Sequence, residues 1–234
     1  MKIKKYKYIL LGILGVILAI GYFYLFFQKG IDFEDSFLKL SQSNNMYQYK
    51  GSAYGQDILI IVEGDLRESD TAIVTYAIED FDTRVYTVKV DNRFGNNADV
   101  KIFDSFGMIY EGSYRPTILM NKDGSLYMEE TRITFTNHDV NIFDEDYKIR
   151  YSHIVSTALK DSIYNRGNRA LLFYALFIMV IHTIDVIWPL FFFNIRYGYA
   201  VRKPEPSDRY LAAQRISRFI YPIIAIMLLI ASLS

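Results

Sequence analysis

Residues 170–193 read ALLFYALFIMVIHTIDVIWPLFFF, and only His182 and Asp185 among them are ionisable. A helix rises 1.5 Å per residue, so about twenty apolar residues cross the hydrocarbon of a bilayer. The stretch therefore predicts a membrane span. Two other stretches read alike. Residues 8–27 are free of charge, and residues 219–234 are apolar to the end of the sequence. The third is the shortest and extends inward through Ile216, with the long stem of Arg218 carrying its charge to the headgroups. Lys2, Lys4, Lys5 and Lys7 before the first stretch would also suit a secretory signal. A signal's apolar region is usually about 7–15 residues, however, and Ala19-Ile20-Gly21 is the one cleavage-like triplet. The reading is an uncleaved anchor.

Charge orients the spans. Four lysines precede the first. Arg196, Arg202, Lys203, Arg209, Arg215 and Arg218 lie in residues 194–218 against Glu205 and Asp208. Positive segments stay in the cytoplasm. Residues 28–169 hold an acidic excess and are expected outside, together with the C-terminus. The formal net charge of zero, from 26 basic and 26 acidic residues, is thus a sum over compartments. The absence of cysteine excludes disulfides, thiolate metal sites and a cysteine nucleophile. The apolar content of 51% excludes a disordered chain.

Five segments follow: 1–27 with the first span, 28–169 as a β-rich outer domain, 170–193, the basic loop 194–218, and 219–234. Within the outer domain, Phe33, Phe37 and Leu40 fall at helical spacing, so residues 32–40 predict a short helix. Apolar alternation then predicts strands over 46–51, 58–63, 71–78, 84–90, 100–103, 108–114 and 125–135, with acidic or Gly-containing breaks between them. One break covers residues 91–99. The connections are too short for crossover helices, so the sheet is antiparallel. A sandwich or curled sheet of six to eight strands is expected, which makes the whole α+β with membrane helices. From Tyr147 to Ile163 the period returns to helical. That amphipathic helix packs on the sheet, acts as a stalk to the second span, or lies at the membrane surface.

The chemistry is sparse. No nucleophile elbow, phosphate loop or His-Glu-x-x-His helix occurs. Asp91, Asn92, Asn96, Asn97 and Asp99 supply oxygens. Arg93 and Gly95 stand where a calcium loop wants side-chain oxygens, so Asp91 and Asp99 are weak calcium candidates beside a turn reading. Asp144, Glu145 and Asp146 suit a helix start, and His138 suits a solvated turn. No cofactor is expected. His182 and Asp185 are three apart, on one helix face within a span, where charge is costly and marks function or pairing. Three readings stand: structural pairing of Asp185 near an interface marked by Trp188, with Arg196, Arg215 or Arg218; contact with a partner helix; or ion transport. Gly12, Gly15 and Ala19 make a small-residue face suited to close packing, most cheaply on the second or third span, with a homodimer as the weaker alternative. Pro204 and Pro206 forbid helix in the inner loop. Ser207 or Asp208 then caps a helix running on into the third span.

Trp188-Pro189-Leu190, Arg196-Tyr197, Pro204-Glu205-Pro206-Ser207-Asp208 and Arg215 together resemble an uncharacterised bacterial family of short two-helix membrane proteins. The resemblance covers about residues 188–218. It implies a bacterial protein with a helical hairpin and brings no activity. The expectation is a non-enzymatic accessory or sensory subunit of an envelope complex, binding through its outer domain. Its partners are the lipid bilayer and a membrane or envelope protein; homo-oligomers stay open and nucleic acid is excluded. The rivals are a transport-related subunit using His182 and Asp185, and an envelope enzyme using Glu63, Asp65, Glu129 and Glu130.

Overall fold

The computed structural model describes residues 2–233 apart from 44–45, 67, 95–96, 130–141, 145–146 and 198–204. Of residues 2–9, 11 and 94 it describes the backbone alone. The chain divides into two compact units. One is Lys29–Tyr164, and the other joins Met1–Gln28 to Asn165–Ser234.

A helix, α1 (Lys2–Phe26), precedes nine strands: β1 (Lys29–Phe33), β2 (Ser36–Ser43), β3 (Met46–Ala53), β4 (Gln56–Glu63), β5 (Thr71–Ile78), β6 (Arg84–Phe94), β7 (Asn97–Phe103), β8 (Met108–Arg115) and β9 (Ile118–Asn121). A helix, α2 (Tyr151–Leu159), and a two-residue strand, β10 (Tyr164–Asn165), follow. The sheet runs β10-β1-β2-β3-β4-β5-β6-β7-β8-β9, and each pairing from β1 to β9 is antiparallel. Period-two burial explains it. Ile58, Ile60 and Val62 face inward with Val74, Tyr76, Val88, Val100 and Ile102, while the residues between them face out. The register sets Ile60 opposite Tyr76 and Val88 opposite Ile102.

One face is buried because α2 lies on it, with Ile154, Val155, Ala158 and Leu159 enclosed. The helix touches β5 through β9. It also reaches β1, where the His153 and Phe33 rings lie 5.0 Å apart. A sheet whose first and last long-range strands both meet one helix is curled about it. Of the two expected architectures the curled single sheet is observed, with ten strands among the described residues.

Four local expectations are corrected. Residues 32–40 are not helical: β1 and β2 form a hairpin with Phe33 opposite Ser36. Its two turn residues, Glu34 and Asp35, have φ of 46° and 58°, as a tight hairpin turn requires. Neither is the glycine or asparagine that signals such a turn. Gly30 confirms the close approach, since a Cβ there would lie 2.1 Å from the Leu38 carbonyl oxygen. Residues 91–99 are mostly strand, because β6 and β7 continue to the hairpin end past a bulge between Val90 and Asn92. The described part of 125–135 contributes an isolated bridge, Met120 to Leu126, and β9 takes the edge instead. The helix expected from Tyr147 is shorter. Tyr147 and Ile149 are buried in extended chain, and Lys160 ends α2 with a left-handed φ of 61°.

In the other unit, α3 (Arg169–Ile187) is followed by α4 (Phe191–Tyr197) and α5 (Asp208–Ala231). Two helices, α3 and α5, are long and apolar enough to cross a membrane; the described apolar part of α1, Gly12–Phe26, is shorter. Asn168 caps α3 by accepting from the amides of Ala170 and Leu171, and Ser207 caps α5 by accepting from Tyr210. The expected span 170–193 is broken before Pro189, which lacks the amide that would bond the Asp185 carbonyl, whereas α5 runs on through Pro222. The expected loop 194–218 is largely helical from Asp208 onward.

The ends of three helices meet. The Asn168 amide donates to Ser232 O, and Gly167 and Arg166 donate to Phe26 O and Gln28 O. Tyr22 Oη and Ser232 Oγ are 2.7 Å apart. A Cβ on Gly167 would stand 2.2 Å from the Phe26 ring, so only glycine admits this approach. The end of α1, the start of α3 and the end of α5 therefore share one level. Ala175 and Ala225 are fully enclosed, whereas Phe219 is 76% exposed. A small inner face and a bare apolar outer face suit helices packed in lipid.

Candidate functional site

The break after Ile187 explains the polar residues around it. Pro189 has no amide hydrogen, so the Asp185 carbonyl loses the donor four residues on. Arg218 Nη2 replaces it at 3.1 Å. The same guanidinium donates from Nε to Asp185 Oδ2 at 3.2 Å. Gln214 Nε2 donates to Asp185 Oδ1 at 2.6 Å and also to the Pro189 carbonyl. Gln214 and Arg218 are four apart and share a face of α5. Together they answer two carbonyls at the break and the Asp185 carboxylate, which is 5% exposed.

Structural pairing is thus where the structure places Asp185. Arg218 makes that pairing, one of the three partners expected for Asp185. His182 does not join: its Nδ1 is enclosed and has no hydrogen-bond partner among the described residues. Beyond the break, Phe193 is buried between Tyr197 and Tyr210, with ring centroids 4.9 and 5.1 Å away. That contact folds α4 onto the first turn of α5. Arg196, Arg209 and Arg215 are exposed. Arg202 and Lys203 lie outside the described residues, and Lys2, Lys4, Lys5 and Lys7 sit on α1 with only their backbone described. Gly12, Gly15 and Ala19 are exposed, and a Cβ at either glycine would meet nothing within 4 Å. The expected packing of this face on the second or third span is not made among the described residues.

In the sheet unit the polar centre is His153. Its Nε2 lies 3.0 Å from the Asp32 carbonyl oxygen and its Nδ1 2.9 Å from Tyr76 Oη. The carbonyl can only accept, so Nε2 carries the proton and Tyr76 donates to Nδ1. Burial holds the imidazole down at about 4, while the bond to Asp32 pulls the other way. Tyr164 Oη donates to the Asp32 carboxylate. One side chain thereby links α2 to β1 and β5 across the curl.

Both ends of α2 are also tied. Glu129 accepts from the Ser152 amide and hydroxyl, each at 2.7 Å, where a helix start favours negative charge. At the other end Lys160 Nζ lies 3.0 Å from Asp65 Oδ2 and 3.6 Å from the centroid of the Tyr47 ring. The proposed enzyme carboxylates are thus not gathered. Glu129 and Asp65 serve opposite ends of a nine-residue helix, roughly 12 Å long at 1.5 Å per residue. Glu63 ends β4, and Glu130 and His138 lie outside the described residues.

The calcium candidates are engaged with neighbours. Asp91 holds Lys101 at 2.6 Å, and Asp99 accepts from Asn92 Nδ2 at 3.1 Å. Lys101 also faces Glu111, which holds Lys122 at 2.6 Å, so charges alternate across four strands. Lys122 keeps the Glu111 carboxyl below its usual range, and Asp91 raises Lys101. Among the described residues no group of three or more His, Cys, Asp or Glu side chains could hold a metal ion. Of the acidic triplet only Asp144 is described; its carbonyl accepts from the Tyr147 amide.

Gln214, His153, Lys160 and the capping role of Glu129 were not legible as functional positions. Gln214 had one available signal, its spacing of four from Arg218. Comparison with protein-family models, with characterised proteins and with solved structures finds no match to this chain.

Proposed function

We propose that this chain is a three-span bacterial membrane protein that displays its sheet unit outside the cytoplasm. It works by binding, as an accessory or sensory subunit of an envelope complex. The observation that carries the reading is the meeting of the end of α1 with the start of α3 and the end of α5. Three helix ends at one level suit three passes through one bilayer. The sheet unit is inserted in sequence between the first and second passes. Positive charge at the opposite ends supports a cytoplasmic N-terminus and inner loop. The likeness of residues 188–218 to bacterial two-helix membrane proteins supports the bacterial envelope. A binding role fits a sheet unit in which Asp65 and Glu129, two of the candidate enzyme carboxylates, are engaged at opposite ends of α2. The ion-path alternative has less support, because the Asp185 carboxylate is already answered by Arg218 and Gln214.

The cysteine-free sequence allows a direct test. Cysteines at Ser125 and Ser232 should label with an impermeant maleimide in intact cells, and a cysteine at Ser207 should label only after lysis. Labelling of Ser207→Cys in intact cells would sink the topology. Purification in mild detergent should bring down a stoichiometric envelope protein. Its loss on replacing exposed sheet residues would identify the binding face.

A further inference from the structure

The break between α3 and α4 leaves an open cavity of about 600 Å³. It is lined by Ile187, Trp188, Pro189, Leu190, Phe191 and Asn194. The surrounding backbone needs nothing from a ligand. Trp188 N donates to Ile184 O, Phe191 N to Trp188 O and Asn194 N to Leu190 O, while Gln214 answers Pro189 O. Backbone satisfied in this way tolerates hydrocarbon. The side chains are bare: Trp188 is 59% exposed, and Leu190 and Phe191 more than a third. Three guanidinium groups belong to the same end of the helical hairpin, because Phe193 brings α4 onto Tyr210 of α5. They are Arg196, Arg209 and Arg215, all exposed. None forms an ion pair with a described residue, whereas Arg218 is occupied by Asp185.

An apolar notch beside unpaired cations on membrane-length helices matches one class of occupant. We propose that the notch seats an acyl chain of an anionic phospholipid, whose phosphate is taken by Arg196 and the basic first turns of α5. This rests on the reading of α3 and α5 as membrane spans. Basic groups at a membrane surface attract anionic headgroups, and the notch adds a place for one chain of the same molecule. Trp188 anchors its wall.

Trp188 is the only tryptophan in the sequence, so its emission reports on this notch alone. The full chain is reconstituted in phosphatidylcholine vesicles containing a minor share of chain-brominated phosphatidylglycerol or, separately, of chain-brominated phosphatidylcholine. Flotation reads membrane insertion independently. The expected result is at least a halving of Trp188 emission by the anionic brominated lipid. Quenching by the neutral one should be at least twofold weaker. Arg196→Gln combined with Arg215→Gln should make the two lipids equal while flotation is unchanged. A floating protein whose emission neither lipid quenches overturns the proposal, since water or a protein partner then covers the indole. Equal quenching of the native chain by both lipids overturns it too. A chain that does not float overturns the membrane reading itself, and this proposal with it.

Discussion

His153 in the sheet unit and Asp185 in the helical unit each sit where a helix meets its neighbours, and the two are managed in opposite ways. In the sheet unit His153 is kept neutral. Burial lowers its proton affinity, and two hydrogen bonds use one nitrogen as donor and the other as acceptor. In the helical unit Asp185 sits in an ion pair with Arg218, with Gln214 completing the cage. A buried imidazole can discard its charge by releasing a proton. A proline break between apolar helices frees carbonyls that need strong donors, and a guanidinium supplies several at once. The difference teaches that Asp185 holds Arg218 where the freed carbonyl needs it.

The largest expected effect tests that pairing. Arg218→Met leaves the Asp185 carboxylate and carbonyl unanswered and should cost about 3–5 kcal/mol in detergent unfolding. Adding Asp185→Leu should recover much of the loss, because the uncompensated charge is gone. A double variant no better than the single one would show that backbone satisfaction, and not the charge, dominates.

The histidine makes the opposite kind of prediction. Its folded value, about 4, lies below the ordinary 6.5. The unfolded chain therefore binds the proton first as pH falls. The stabilising contribution is complete above pH 6.5 and is lost progressively toward pH 4, amounting to roughly 3 kcal/mol. Hydrogen exchange of the α2 amides in the full chain should speed up across that window. His153→Gln should flatten the dependence; an unaltered pH slope in that variant would falsify the assignment.

Smaller effects separate tight from open packing. Gly167→Ala drives a methyl into the Phe26 ring and should cost about 1–3 kcal/mol. Gly12→Ala, with open space at that position, should change unfolding by less than about 0.5 kcal/mol. A large effect at Gly12 would instead reveal a helix packed on that face. Glu129→Ala removes the cap of α2 and should cost about 1 kcal/mol, read as faster exchange in its first turn. At the bottom of the scale, Lys122→Ala in the turn after β9 should leave the melting temperature unchanged in moderate salt, since exposed pairs are screened. A drop of several degrees would mean that the charge ladder contributes to holding β8 and β9 together.

Most strands were legible because alternation is a local property. Residues 71–78 form β5 with the expected bounds, and the cores of β3, β4, β6, β7 and β8 follow the same rule. The failures have local causes. Glu34-Asp35 turns a hairpin without the residues that advertise one. Phe33, Phe37 and Leu40 fit helical spacing by accident, while burial picks out Ile31, Phe33 and Leu38. Residues 91–99 look like a loop because polar residues suit the solvent side of a hairpin end as well as a turn. In the candidate site, Asp185 was visible as a charge within a long apolar run and Arg218 as one of three arginines it could reach. Gln214 was hidden, because an amide before a span carries no signal until its partner's position is known.

The amino-acid sequence by itself determined that the chain contains two long apolar helices and an antiparallel sheet. Run length and two-residue alternation are properties of neighbours along the chain. Where α3 stops was not determined that way, since α5 runs on through Pro222 while α3 ends before Pro189. Tertiary structure alone decided that the sheet curls about α2 and that His153 is the neutral link between β1 and β5. It alone decided that Arg218 and Gln214 are the groups that answer the broken helix. These outcomes depend on contacts between residues tens of positions apart. Such contacts are selected by which buried polar groups can all be satisfied at once, a condition that no single segment contains.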